Sequence, residues 1–128
     1  MTTHYHAFVK TPEPNLSTGM QFLNGGFAKD FNGRYRLQGH LFEQRFTSVV
    51  VESDEQALQL ARYIFLNPLE AGICTRPLDY PWSTLGATAG LDPRPRFLTI
   101  RWLLSLFADD PREAALRLVE FVSAGVHS

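Results

Sequence analysis

The sequence predicts an α+β domain, and three observations lead there. Residues 4–10 alternate in character from one position to the next, the stretch from His40 to Glu52 is rich in aromatic and β-branched residues, and between and after them lie runs with helical spacing and capping residues. Strand signals interleaved with helix signals in 128 residues fit one domain with a single core.

The elements follow in order. In a strand over 4–10, His4, His6, Phe8 and Lys10 share one face and Tyr5, Ala7 and Val9 the other. Thr11-Pro12-Glu13-Pro14 breaks it, and Asn15 or Ser17 can cap a helix to about Asn32. Met20, Leu23, Phe27 and Phe31 then fall on one side at three- and four-residue steps. Gly25-Gly26 inside that helix is unfavourable by roughly 1 kcal/mol per glycine relative to alanine. Gly33 and Gly39 bracket the turns before a second strand, Thr47 to Val51. Ser53-Asp54-Glu55-Gln56 reads as a capping box opening a helix that runs to about Asn67 and stops at Pro68. A loop-rich stretch with one short helix after Trp82 follows. Thr99 caps a helix carrying Trp102, Leu103, Leu106 and Phe107. Asp110-Pro111-Arg112-Glu113 opens the last helix and Gly125 ends it.

Composition narrows the function. An apolar content of 45 % suffices for a core, and no run of about 18 apolar residues suggests a membrane span. A secretory leader pattern is missing as well. Cys74 is the only cysteine, which excludes an internal disulfide and fits a cytoplasmic protein. The formal charge of −1 does not mark a nucleic-acid binder, although residues 1–50 carry a balance of +2 and residues 51–128 one of −3.

Three groups of residues carry candidate chemistry. His4 and His6, on one strand face with Cα atoms about 6–7 Å apart, can reach one divalent cation; a His-x-His near a terminus also fits two polar residues or the remains of a tag. Tyr63 and Asn67 stand at i and i+4 on a helix and share a face. A phenol with a pKa near 10 needs a neighbouring cation to act as a nucleophile, and an amide oxygen is a fair ligand for magnesium or manganese. A tyrosine on an amphipathic helix is, however, usually core, and Asn-Pro usually ends a helix. In Gly39-His40-Leu41-Phe42-Glu43-Gln44-Arg45-Phe46, aromatics interleaved with Arg45 can stack on unpaired bases or pack as an edge strand. His40 and His127 by themselves read as ordinary surface or packing histidines.

Taken in order, His4-Tyr5-His6, Leu23-Asn24 with Phe27, Phe31 and Asn32, Gly39-His40-Leu41-Phe42 with Arg45-Phe46, Tyr63-Ile64 with Leu66-Asn67-Pro68, Ala71-Gly72, and Asp79-Tyr80-Pro81-Trp82-Ser83 resemble the REP-associated tyrosine transposases. These belong to the insertion-sequence single-tyrosine transposases with a His-hydrophobe-His (HUH) motif. Trp102-Leu103-Leu104 and Asp109-Asp110-Pro111 resemble a C-terminal extension of some members. The resemblance implies a ferredoxin-like antiparallel sheet with packed helices. Residues 1–90 would form a partial transposase domain, without the strand and helix that usually precede the histidines, and residues 91–128 a helical extension. It implies that Tyr63 attacks a scissile phosphate, that His4, His6 and Asn67 bind magnesium or manganese, and that Arg34, Arg36, His40, Phe42 and Arg45 contact DNA. The implied substrate is single-stranded DNA with palindromic hairpins, and an open sheet edge could pair with a second copy to give a homodimer.

Overall fold

The computed structural model describes residues 4–42 and 44–126, so Glu43 and His127 lie outside the described residues. It is helical: α1 spans Leu16–Tyr35, α2 Asp54–Glu70, α3 Leu85–Thr88, α4 Arg101–Ser105 and α5 Pro111–Ala124, with a 3₁₀ turn at Pro77–Asp79. The chain divides into two compact units, one of Met1–Phe8 with Val51–Ser128 and one of Val9–Val50. Residues on both sides of the expected 90/91 division therefore fall in the first unit.

No strand or sheet occurs among the described residues, which corrects the α+β, ferredoxin-like expectation. Residues 4–10 and 45–50 belong to no helix and join no ladder. Alternation and β-branching make a segment compatible with a sheet, but a strand exists only where a second backbone takes up its N–H and C=O groups. Neither segment has that second backbone, so both keep their pattern without the structure it suggested.

In the first unit the core lies where α2, α3, α4 and α5 meet: Ala61, Phe65 and Leu66 from α2, Leu85 from α3, Leu104 from α4, and Ala114, Leu118 and Val122 from α5. Buried positions recur every four residues at Ala57, Ala61 and Phe65 and again at Ala114, Leu118 and Val122. Each helix thus buries one i+4 row. Small residues at the start of each row let the helices approach. At the far end of α5, a Cβ on Gly125 would stand 2.7 Å from Leu66 Cδ1 and 2.8 Å from Arg62 Cδ.

The helix starts follow the sequence closely. Ser53 Oγ accepts from the Gln56 N–H at 3.1 Å, and Gln56 Oε1 accepts from the Glu52 N–H at 2.8 Å, one residue earlier than a standard capping box. Asp110 Oδ1 accepts from the Arg112 N–H at 3.2 Å, with Pro111 at the first helical position. Thr99 does not cap α4; Ile100 occupies the cap position and makes no side-chain cap bond. The expected stop at Pro68 moves to Glu70. A proline in the last turn forfeits a single N–H, and Pro68 is buried. The stop is set instead by Gly72, at φ +74, with the Ile73 N–H donating to the Pro68 carbonyl at 2.9 Å.

In the second unit, α1 extends beyond the expected Asn32 to Tyr35 and buries none of its residues. The residues less open to solvent are Leu16, Met20, Asn24, Ala28, Phe31 and Asn32, whereas Leu23 and Phe27 are exposed. Of the expected row, Met20 and Phe31 are among these less exposed positions and Leu23 and Phe27 are not. Arg36 closes the helix in the left-handed region at φ 55, and the Leu37 N–H donates to the Asn32 carbonyl at 2.8 Å. The Asn32 side-chain amide donates to the Gly39 carbonyl at 3.0 Å and folds the following turn back on the helix end.

Candidate active site

The first unit brings together three of the four residues expected at the catalytic centre. Tyr63 lies on α2, one position after the arginine that faces α5: Arg62 sits over the Phe121 ring at 4.4 Å. Since successive helical positions diverge by about 100°, Tyr63 turns away from the core, and 49 % of it is exposed. The His6 ring meets the Tyr63 ring edge-to-face, with centres 5.7 Å apart. His4 meets His6 in the same manner at 5.0 Å. Two imidazoles, a phenol and open solvent thus share one place.

The neighbours of His6 set its charge. Packing against other rings removes part of its hydration, and this desolvation, followed by the repulsion of a charged His4, holds its pKa below the ordinary value. His6 is therefore neutral at neutral pH, the form in which an imidazole nitrogen can ligate a cation or accept a proton.

The separation of the histidine rings can be set against that around a shared divalent cation. At metal–nitrogen bonds of about 2.1 Å and a near-tetrahedral angle, two ring centres fall roughly 5 Å apart, which is the separation of His4 and His6. Asn67 is half-buried on α2, one helical turn beyond Tyr63, and its backbone carbonyl accepts from the Ala71 N–H at 2.9 Å. No group of three or more His, Cys, Asp or Glu suited to a metal occurs among the described residues. The candidate ligands are therefore two imidazoles and an amide, with no carboxylate among them.

The expected DNA contacts all lie in the second unit. Arg34, at the end of α1, has its guanidinium 5.8 Å from the Tyr35 ring centre. Phe42 meets Phe27 at 6.4 Å, Phe27 stacks on Phe31 at 6.0 Å, and Phe31 meets Tyr35 at 4.7 Å. Arg36 occupies the left-handed helix end, and His40 and Arg45 are exposed in the segment beyond it. Arginines and aromatics at one helix end suit phosphates and unpaired bases.

Sequence reasoning missed the contact of Phe8 with Trp102, whose rings lie 5.7 Å apart. Its signal was present, since Phe8 shares the period-two face of His4 and His6, but nothing in the sequence singled out Trp102 as the ring it meets. Comparison of the chain with protein-family models, curated proteins and solved structures gives no match. No helix among the described residues is long and apolar enough to cross a membrane.

Proposed function

We propose that this chain nicks and rejoins single-stranded DNA through a 5′-phosphotyrosine intermediate, in the manner of the REP-associated tyrosine transposases it resembles. The cluster of His4, His6 and Tyr63 carries the reading, because it joins an imidazole pair to an exposed phenol. The Tyr63 oxygen bonds to the scissile phosphorus, the bond from phosphorus to the 3′ oxygen breaks, and the phenolic proton is replaced in the balance by one on the departing 3′-hydroxyl. Attack by a different 3′-hydroxyl reverses the step and frees Tyr63. His4, His6 and Asn67 would hold magnesium or manganese, which supplies charge stabilisation at a non-bridging phosphate oxygen. With no carboxylate among them, these ligands would leave the charge of such an ion undiminished. Arg34, Arg36, His40, Phe42 and Arg45 would hold a hairpin substrate. We place this activity in the cytoplasm, on the single cysteine, Cys74.

The test is a denaturing gel with labelled hairpin DNA and manganese. Wild-type protein should form a covalent adduct that EDTA and Tyr63→Phe each abolish, and His4→Ala should weaken the metal dependence. The rate should fall below about pH 6, where imidazoles with a reference pKa near 6.5 protonate. An adduct with Tyr63→Phe would overturn the nucleophile, and full activity at pH 5 would overturn histidine ligation. One observation favours a second reading, a non-catalytic hairpin-binding protein or inactive transposase remnant: the histidine segment is exposed and outside any ladder. That reading predicts hairpin binding indifferent to EDTA and to Tyr63→Phe.

A further inference from the structure

The segment from His4 to Phe8 lies outside every helix and every ladder, yet two of its side chains meet rings of the same unit. His6 meets Tyr63 of α2, and Phe8 meets Trp102 of α4, each at 5.7 Å. Trp102 has a firm base: Leu104, two residues on, is buried in the core with Leu118 of α5 and Phe65 of α2. The two contacts therefore connect one segment to one packed helical body. Phe8 is two residues from His6, about 6–7 Å along an extended chain, too short a tether for one ring to wander while the other is held.

We propose that Trp102 is a positioning residue: by holding Phe8 it fixes the His4–Phe8 segment so that the His6 imidazole stays against Tyr63. The inference rests on reading His6 and Tyr63 as one site. A segment outside every helix and ladder has no backbone ladder to hold it and relies on side-chain contacts, and the pair of Phe8 and Trp102 is one such contact, two residues from His6. Without it, His6 would swing about its contact with Tyr63, and displacements near 1 Å cost such a site up to about a hundredfold in rate.

The test is a nuclear Overhauser contact between the His6 and Tyr63 rings, measured without metal or DNA. Wild type should give it, Trp102→Ala should lose it while keeping its helical circular dichroism, and Trp102→Phe should restore it. In the adduct assay, Trp102→Ala should lower the rate at saturating hairpin DNA at least tenfold and leave the DNA dissociation constant unchanged. If Trp102→Ala disturbs α4, Phe8→Ala removes the same contact from outside the helices and decides the matter. A ring contact that persists in Phe8→Ala, or that is missing in wild type, overturns the proposal. Since this readout needs neither metal nor DNA, a wild-type protein with the contact but no adduct would sink the proposed reaction and leave the positioning role in place.

Discussion

Residues 51–126 and residues 9–50 both form helices, but they hold them in opposite ways. In the first stretch, α2 and α5 each bury a row of side chains at four-residue intervals, and Leu85, Leu118 and Val122 are sealed from solvent. In the second, the twenty residues of α1 bury nothing; Phe22 is 85 % exposed, and a Cβ added at Gly19, Gly25, Gly26 or Gly33 would meet no atom within 4 Å. The less exposed side of α1 carries Asn24 and Asn32 where α5 carries Leu118 and Val122. Local signals can place a helix, but packing of an apolar row holds it. The difference teaches where stability resides: the candidate catalytic tyrosine stands on the packed part, and the proposed DNA contacts stand on the part whose helix buries nothing.

Core deletion is the strongest way to sharpen this contrast. Leu118→Ala should cost about 2–5 kcal/mol in urea unfolding, as buried leucine truncations do. Phe22→Ala should stay within about 0.5 kcal/mol of wild type, as exposed positions do. A large loss from Phe22→Ala would break the comparison, because α1 would then be packed after all.

Two glycines offer a smaller effect of opposite sign. Gly125→Ala pushes a methyl group towards Leu66 and Arg62 at under 3 Å, and Leu66 is buried and has little room to yield. A loss of about 1–3 kcal/mol is expected from such overpacking. Gly26→Ala meets open space in a helix interior and should gain roughly 0.5–1 kcal/mol of helix stability. Circular dichroism during thermal unfolding of the two variants checks both signs. Equal signs would mean that the two helices are not held differently.

What was legible in the sequence follows the same division. Capping is written in adjacent residues, so the starts of α2 and α5 could be read from Ser53 and from Asp110-Pro111. Strands were not legible, because pairing depends on a distant backbone and the alternation at residues 4–10 says nothing about whether one arrives. The turn after α1 was hidden by its chemistry: an arginine, not a glycine, takes the left-handed position at residue 36. Of the candidate site, the residue types could be read and the spacing of His4 and His6 pointed to a shared ligand. That His6 would lie against Tyr63 could not be derived from spacing, since the two are joined by tertiary packing, and only the resemblance put them in one centre. The same holds for Phe8 and Trp102.

The smallest effect tests the electrostatics of that contact. Desolvation and the charge of His4 lower the His6 pKa in the folded protein, so below pH 6.5 the unfolded chain binds a proton that the folded chain resists. The sign follows: His6 contributes stability that is present above the unfolded value of about 6.5 and is lost as pH falls through the lower folded value. Urea midpoints at pH 7.5 and pH 5 should therefore differ more in wild type than in His6→Gln, which cannot take up the proton. Because His6 is largely exposed, the difference should be small beside that of Leu118→Ala. His4→Gln should reduce the same pH dependence only in part, since it removes the repulsion and leaves the desolvation. If His6→Gln keeps the full pH dependence, the His6 ring is hydrated in solution and does not rest against Tyr63, and the packed unit then offers a tyrosine without a neutral histidine beside it.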